Sequence, residues 1–152
     1  MTLIADLGLV IPVKWKKHWE PKINENYFFV NSYSEFEIHL IAKKEYHWLD
    51  IRRIENYNAF PTRELVEKAT NVSKIGRLIL LWQYANDCIF ETDWKDGDTK
   101  KYFIRYDYIK EEVCHDYNVT IPSDTLYFET VDQVEAFIDM YSEEIKKSMG
   151  VI

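Results

Sequence analysis

Only two cysteines, four glycines and four prolines occur among 152 residues. Cys88 and Cys114 form no CxxC pair and have no histidines at zinc-finger spacing, which argues against a disulfide framework or a structural metal. The chain therefore reads as a protein of a reducing compartment, expected in the cytoplasm. Scarce Gly and Pro exclude collagen-like repeats and leave little material for flexible tethers. Long apolar runs are also missing. The stretch from Leu3 to Val13 is interrupted by Asp6, is too short to span a bilayer, and has Lys14, Lys16 and Lys17 after it rather than before it. It predicts a strand or an anchoring arm and no membrane partner.

A surplus of positive charge is absent as well. Nineteen basic residues face twenty-six acidic ones, a formal net charge of -7, which disfavours duplex binding and anionic membranes, since both rely on Lys and Arg. The imbalance is local. Residues 111–152 hold two basic and ten acidic side chains, while 1–53 hold eight and seven and 54–110 hold nine of each. A field of one sign speeds encounter with an oppositely charged partner.

What the chain does have is apolar content, 47%, and aromatic content, 16%, enough for an ordinary core. Phe36, Ile38 and Leu40 alternate with Glu35, Glu37 and His39, the period of a half-buried strand, with a turn at Asn31–Ser34 before them. Tyr46 to Arg53 is expected to form a further strand. Thr62 is a good helix N-cap, with Leu65, Ala69 and Val72 on one stripe; the helix either runs on through Gly76 or breaks there. Leu78 to Trp82 is apolar on every side and predicts an enclosed element. After a polar turn at Asp93–Asp98, strands are expected over 101–108 and from Val113 to Ile121. Thr130 with Gln133 then makes a capping box for a helix to about Lys147, bearing Val134, Phe137, Ile138, Tyr141 and Ile145 on one side. The reading is an α+β fold, mainly antiparallel sheet with two principal amphipathic helices, in one domain over 1–152.

An internal echo suggests two pseudo-repeated strand-strand-helix units, 19–87 and 94–148. Tyr27-Phe28 and Tyr102-Phe103 each open a hairpin, and Phe60-Pro61-Thr62 and Phe128-Glu129-Thr130 each open a helix. The interval from Tyr to Phe is 33 residues in the first and 26 in the second. Two such units would share one core, because neither alone could bury both faces of its sheet. The segments NAFPTRELVEKA, KKYFIRYDY and TLYFETVDQVEAFI, with Trp19-Glu20-Pro21-Lys22 as lead-in, resemble small uncharacterised proteins of phages and prophages of Gram-positive bacteria. That resemblance, covering roughly residues 56–145, implies a mobile-element accessory role, directed against a host defence system.

No catalytic motif is present, and the chain is not expected to be an enzyme or to carry a cofactor. His18, His39, His47 and His115 form no HExxH pair, and Cys114 and His115, adjacent on a strand, point to opposite faces. Around Gly97 the spacing of Asp93, Asp96 and Asp98 fails the calcium-loop pattern. Two surface features remain. Asp132, Glu135, Asp139 and Glu143 follow each other at helical spacing opposite Val134, Ile138 and Tyr141. Like charges at this spacing cost an isolated helix about 0.2–0.5 kcal/mol per pair, a cost that a basic protein partner removes. Glu129, Asp124 and Asp116 would widen that surface, and Tyr141 or Trp94 would anchor it if exposed. The expected function is inhibition of a host nucleic-acid-processing or defence complex, with immunity against a cognate toxin as an alternative using the same face. A third reading is a single-strand nucleic-acid binder built on Trp15, Lys16, Lys17 and Trp19, whose aromatics would stack on bases.

Overall fold

The computed structural model describes residues 2–4, 10–12, 14–31, 38–43, 47–120, 122 and 126–151. Its fold is α+β with every strand pair antiparallel. The chain divides into two compact units, His18–Ile89 and the combination of Met1–Lys17 with Phe90–Ile152.

In the first unit, strands β3 (Asn26–Val30) and β4 (Ile38–Lys43) pair in a hairpin with an irregularity between Tyr27 and Phe28; two strands earlier in the chain, β1 (Thr2–Ile4) and β2 (Val10–Pro12), pair with each other in the second unit. The expected alternation from Glu35 to Glu37 lies outside the described residues. Beyond the hairpin comes a correction. Residues 46–53 were expected to extend as a strand, yet α1 (Trp48–Glu55) is a helix, capped by the His47 ring, which accepts from the Leu49 amide. An apolar stripe could not reveal it, because Trp48, Leu49 and Ile51 are exposed and the residue α1 buries is Asp50. Asp50 is admitted by its partners: the Tyr27 hydroxyl donates to its carboxylate, Arg53 lies 3.8 Å away, and Arg53 also donates to the Tyr27 oxygen at 3.2 Å. The Arg53 guanidinium is stacked 3.6 Å over the Phe29 ring.

The Thr62 cap forms as expected and starts α2 (Arg63–Lys68). The chain then breaks, and Ser73 caps a separate helix, α3 (Lys74–Ala85), so the break falls before Gly76, which sits buried inside α3. Leu78 to Trp82 are all buried, as their unbroken apolar character requires. Two principal helices were expected; α1 and α3 are additional to the two anchored at Thr62 and Thr130.

The second unit holds the hairpin β5 (Lys101–Asp107) with β6 (Glu112–Asn118), covered by α4 (Val131–Ser148). Thr130 and Gln133 make the capping box reciprocally. Val134, Phe137, Tyr141 and Ile145 form the buried side of α4. The Phe137 ring stands 5.5 Å from Phe128 and 4.9 Å from Tyr141. The axis bends at Tyr141, whose φ of -126° and ψ of 27° leave the helical region.

The echo has a structural counterpart, shifted by one residue from the alignment that pairs Tyr27 with Tyr102. Phe28 and Phe60 exchange backbone hydrogen bonds of 2.8 Å in both directions, and Tyr102 and Phe128 do the same at 3.0 and 2.7 Å. In each unit the chain thus returns to lay one phenylalanine against the first hairpin strand, two residues before a threonine cap. Phe28 corresponds to Tyr102, and therefore Tyr27 to Lys101. Both of these preceding residues are fully buried. In the first unit the Asn58 side chain lengthens the pairing, donating to the Val30 carbonyl and accepting from its amide, each at 2.8 Å.

Tyr27 provides a stability test. Burial first, then its bond to Asp50, pushes its phenol above the ordinary tyrosine pKa. A raised folded-state pKa contributes stability that is present below about pH 10 and is lost as pH climbs through the folded value. Tyr27→Phe is expected to cost about 1–2 kcal/mol at pH 7, because Asp50 is left buried with one donor fewer. Urea unfolding should show this penalty shrinking above pH 10; a penalty that grows there would contradict the assignment.

Candidate functional site: an acidic helix face

The stripe proposed on the C-terminal helix lies on its water-facing side. Asp132, Glu135, Asp139 and Glu143 are all exposed, because α4 spends the opposite side on the β5–β6 hairpin. Glu129, just ahead of the cap, is exposed as well. Asp124 lies outside the described residues. Asp116 is exposed on β6 but already engaged: it accepts from the Tyr117 amide at 2.8 Å and lies 3.6 Å from Arg105.

Glu135 also has a partner within the chain, the His115 ring, whose Nε2 is 3.2 Å from its carboxylate. This contact joins β6 to α4. It also shows that the His115 ring is turned toward α4, and Cys114, its neighbour on the strand, alternates to the other face. A thiol-imidazole pair is not assembled there.

Both anchor candidates are corrected. Tyr141 is 5% exposed, its ring turned inward onto Phe137, so it belongs to the core. The bend at the same residue falls between Asp139 and Glu143 and so sets Glu143 apart from the other three carboxylates. Trp94 is half-buried, edge-on to Tyr127 at 4.9 Å and 5.2 Å from the Lys101 ammonium, a packing role in the turn before β5.

One feature could not be read from the sequence. Trp15 lies against the acidic face, where it lines an open groove of ≈ 440 Å³ together with Asp132, Glu135, Ala136, Asp139 and Met140. Ala136, Met140 and the half-buried indole supply its apolar lining, and three carboxylates supply its polar lining. Linear spacing carries no hint of this, since Trp15 and Asp132 are separated by more than a hundred residues. The groove also bears on the single-strand reading. Trp15 sits among three carboxylates that repel a phosphate backbone, and it belongs to one compact unit while Trp19, whose amide donates to the Leu81 carbonyl, belongs to the other. Lys16 and Lys17 are exposed.

Asp93 and Asp96 turn their oxygens inward on their own loop, and Asp98 takes part through its backbone amide. Asp93 accepts from the Lys95 amide at 3.0 Å, and Asp96 accepts from the Asp98 amide at 3.0 Å and from the Thr99 hydroxyl. Those bonds, the Thr99 hydroxyl foremost, hold the Asp96 carboxyl below its usual range. Among the described residues no group of three or more His, Cys, Asp or Glu side chains is arranged to hold a metal ion, and no helix is long and apolar enough to cross a membrane.

No protein-family model, curated protein or solved structure matches this chain.

Proposed function

We propose that this chain is a non-enzymatic binding protein whose acidic face covers a basic surface on a host nucleic-acid-processing or defence complex. This is the accessory role that the resemblance to phage proteins implies. The observation that supports it is the exposure of Asp132, Glu135, Asp139 and Glu143 along one side of α4, beside a groove lined by three of those carboxylates together with Trp15, Ala136 and Met140. Carboxylates three and four residues apart along a helix are separated by about 4.5 and 6 Å of axis, whereas one DNA strand places a phosphate every ~3.4 Å. The face is therefore matched to a scattered patch of Lys and Arg on a protein, not to a site that counts phosphates. Association should be fast at low salt and slow down as salt is added, since exposed charges act over about 10 Å at 0.1 M ionic strength.

Capture from host lysate with the intact chain, followed by binding measurements on the captured protein, tests the reading. Glu135→Lys with Asp139→Lys should weaken binding about 100-fold while the circular dichroism spectrum is retained, because like charges set opposite each other cost several kcal/mol. Asp139→Lys alone spares the His115 contact and separates a lost interface from a disturbed β6–α4 junction. Unchanged affinity in both variants excludes this face.

A further inference from the structure

The β5–β6 hairpin ends in Tyr108-Ile109-Lys110-Glu111, and its two apolar side chains are the most exposed large hydrophobics among the described residues. Ile109 is 95% exposed and Tyr108 72%. The turn that carries them is firmly built. An oxygen of Asp107 accepts from the amides of Ile109 at 2.9 Å and Lys110 at 3.1 Å, and Glu111 takes a left-handed φ of 55° to bring the chain back. The Lys110 amide first and the Ile109 amide second hold the Asp107 carboxyl below the usual carboxylate range, so the clamp is ionised at neutral pH. Edge-on contact between Tyr106 and Tyr108, 4.9 Å between ring centres, limits the tyrosine further.

A four-residue hairpin loop accepts most residue types and gains nothing particular from isoleucine at its tip. Ile109 buries almost no surface on folding, so folding does not account for it. A stiff turn carrying an aliphatic and an aromatic side chain has already lost the freedom that docking would otherwise remove. Around these two sit Asp107, Glu111 and Glu112 against Lys110 and against Arg105, which is close enough to act on Asp107, so the acidic groups outnumber the cations by one. That ring of charge repels anionic bilayers and nucleic acids and is complemented by lysine or arginine.

We infer that the hairpin tip is a docking knob, inserting Ile109 and Tyr108 into an apolar hole, rimmed by Lys or Arg, on a protein partner. The inference rests on the reading that the partner is basic, and adds a second contact on the same unit. His115, which touches Glu135 on the acidic face, is three residues into the strand from Glu112, about 10 Å at ~3.3 Å per residue. One partner can reach both.

A photo-crosslinking amino acid at position 109 of the full chain, expressed in the native cell, identifies the peptide that receives the tip. Calorimetry with that purified protein then compares variants. Ile109→Asp and Tyr108→Ser should each bind about 30-fold more weakly, the loss typical of a central anchor. Asp107→Ala keeps the apolar surface but frees the turn, and should lose about fivefold. Circular dichroism should match the wild type in all three, since none of these side chains is part of the core. Binding of Ile109→Asp and Tyr108→Ser within twofold of wild type overturns the inference, as does crosslinking to lipid or to a second copy of the chain. The Glu135→Lys, Asp139→Lys variant is measured alongside. If it alone loses affinity, the knob is rejected and the acidic-face reading stands; if the tip variants alone lose affinity, the knob stands and the acidic face is rejected.

Discussion

Phe128→Ala is expected to lower stability by about 3–5 kcal/mol, and Phe60→Ala by a similar amount, in urea unfolding followed by tryptophan fluorescence. Both side chains are fully buried, and deleting a buried phenyl ring removes its transfer free energy and leaves a cavity that closes only in part. Phe128 has a further role, because its ring packs 5.5 Å from Phe137, through which α4 is seated on the hairpin. Backbone hydrogen bonds to Tyr102 survive the substitution in principle, so the measured cost isolates the side chain. Phe128→Leu should recover more than half of it, since leucine refills most of the volume. A loss below about 1 kcal/mol for both alanine variants would mean that the phenylalanine before each threonine cap is incidental.

Lys101→Met is the second substitution with a large expected effect, a loss of about 2–4 kcal/mol. Lys101 is fully buried, a rare position for lysine. It is tolerated because its ammonium donates to the carbonyls of Asp96 and Val119, each at 2.6 Å, and faces the Trp94 ring. Those carbonyls belong to the turn before β5 and the segment after β6, so a single side chain ties both ends of the hairpin region together. Methionine matches the length of the stem and supplies no donor, leaving two acceptors short of a partner at about 1–3 kcal/mol each where water cannot reach them. The corresponding residue in the other unit, Tyr27, is treated in the same manner: a long stem crossing the core and a polar end held by Asp50 and Arg53. Equal stability of Lys101→Met and wild type would show that water takes over both carbonyls.

Features set by nearby residues were legible in the sequence. Thr62 and Thr130 announced their helices because a cap is chosen by chemistry within three residues, and Leu78 to Trp82 announced burial because no side of that segment is polar. The α1 helix was not legible. Its burial depends on Asp50 finding Tyr27 more than twenty positions earlier, and its apolar side chains stay in water, so periodicity pointed the wrong way. The acidic stripe, and Tyr141 on the apolar side opposite it, were readable from helical spacing alone, but the Asp116–Arg105 pairing and the approach of Trp15 to Asp132 are tertiary facts. Ile109 could be placed in a hairpin turn by its position between two strands; that it is also almost wholly exposed emerges only once β5 and β6 are paired.

The reciprocal bonds of Phe60 with Phe28 and of Phe128 with Tyr102 make the first strand of each hairpin the middle of a minimal triple ribbon. Each amide of a couple donates to the other residue's carbonyl, so a movement that draws the two residues apart uncovers both amides together. Solvent deuterium should therefore enter the two amides of a couple in step, and the entry to each capped helix is guarded by a latch that opens all at once.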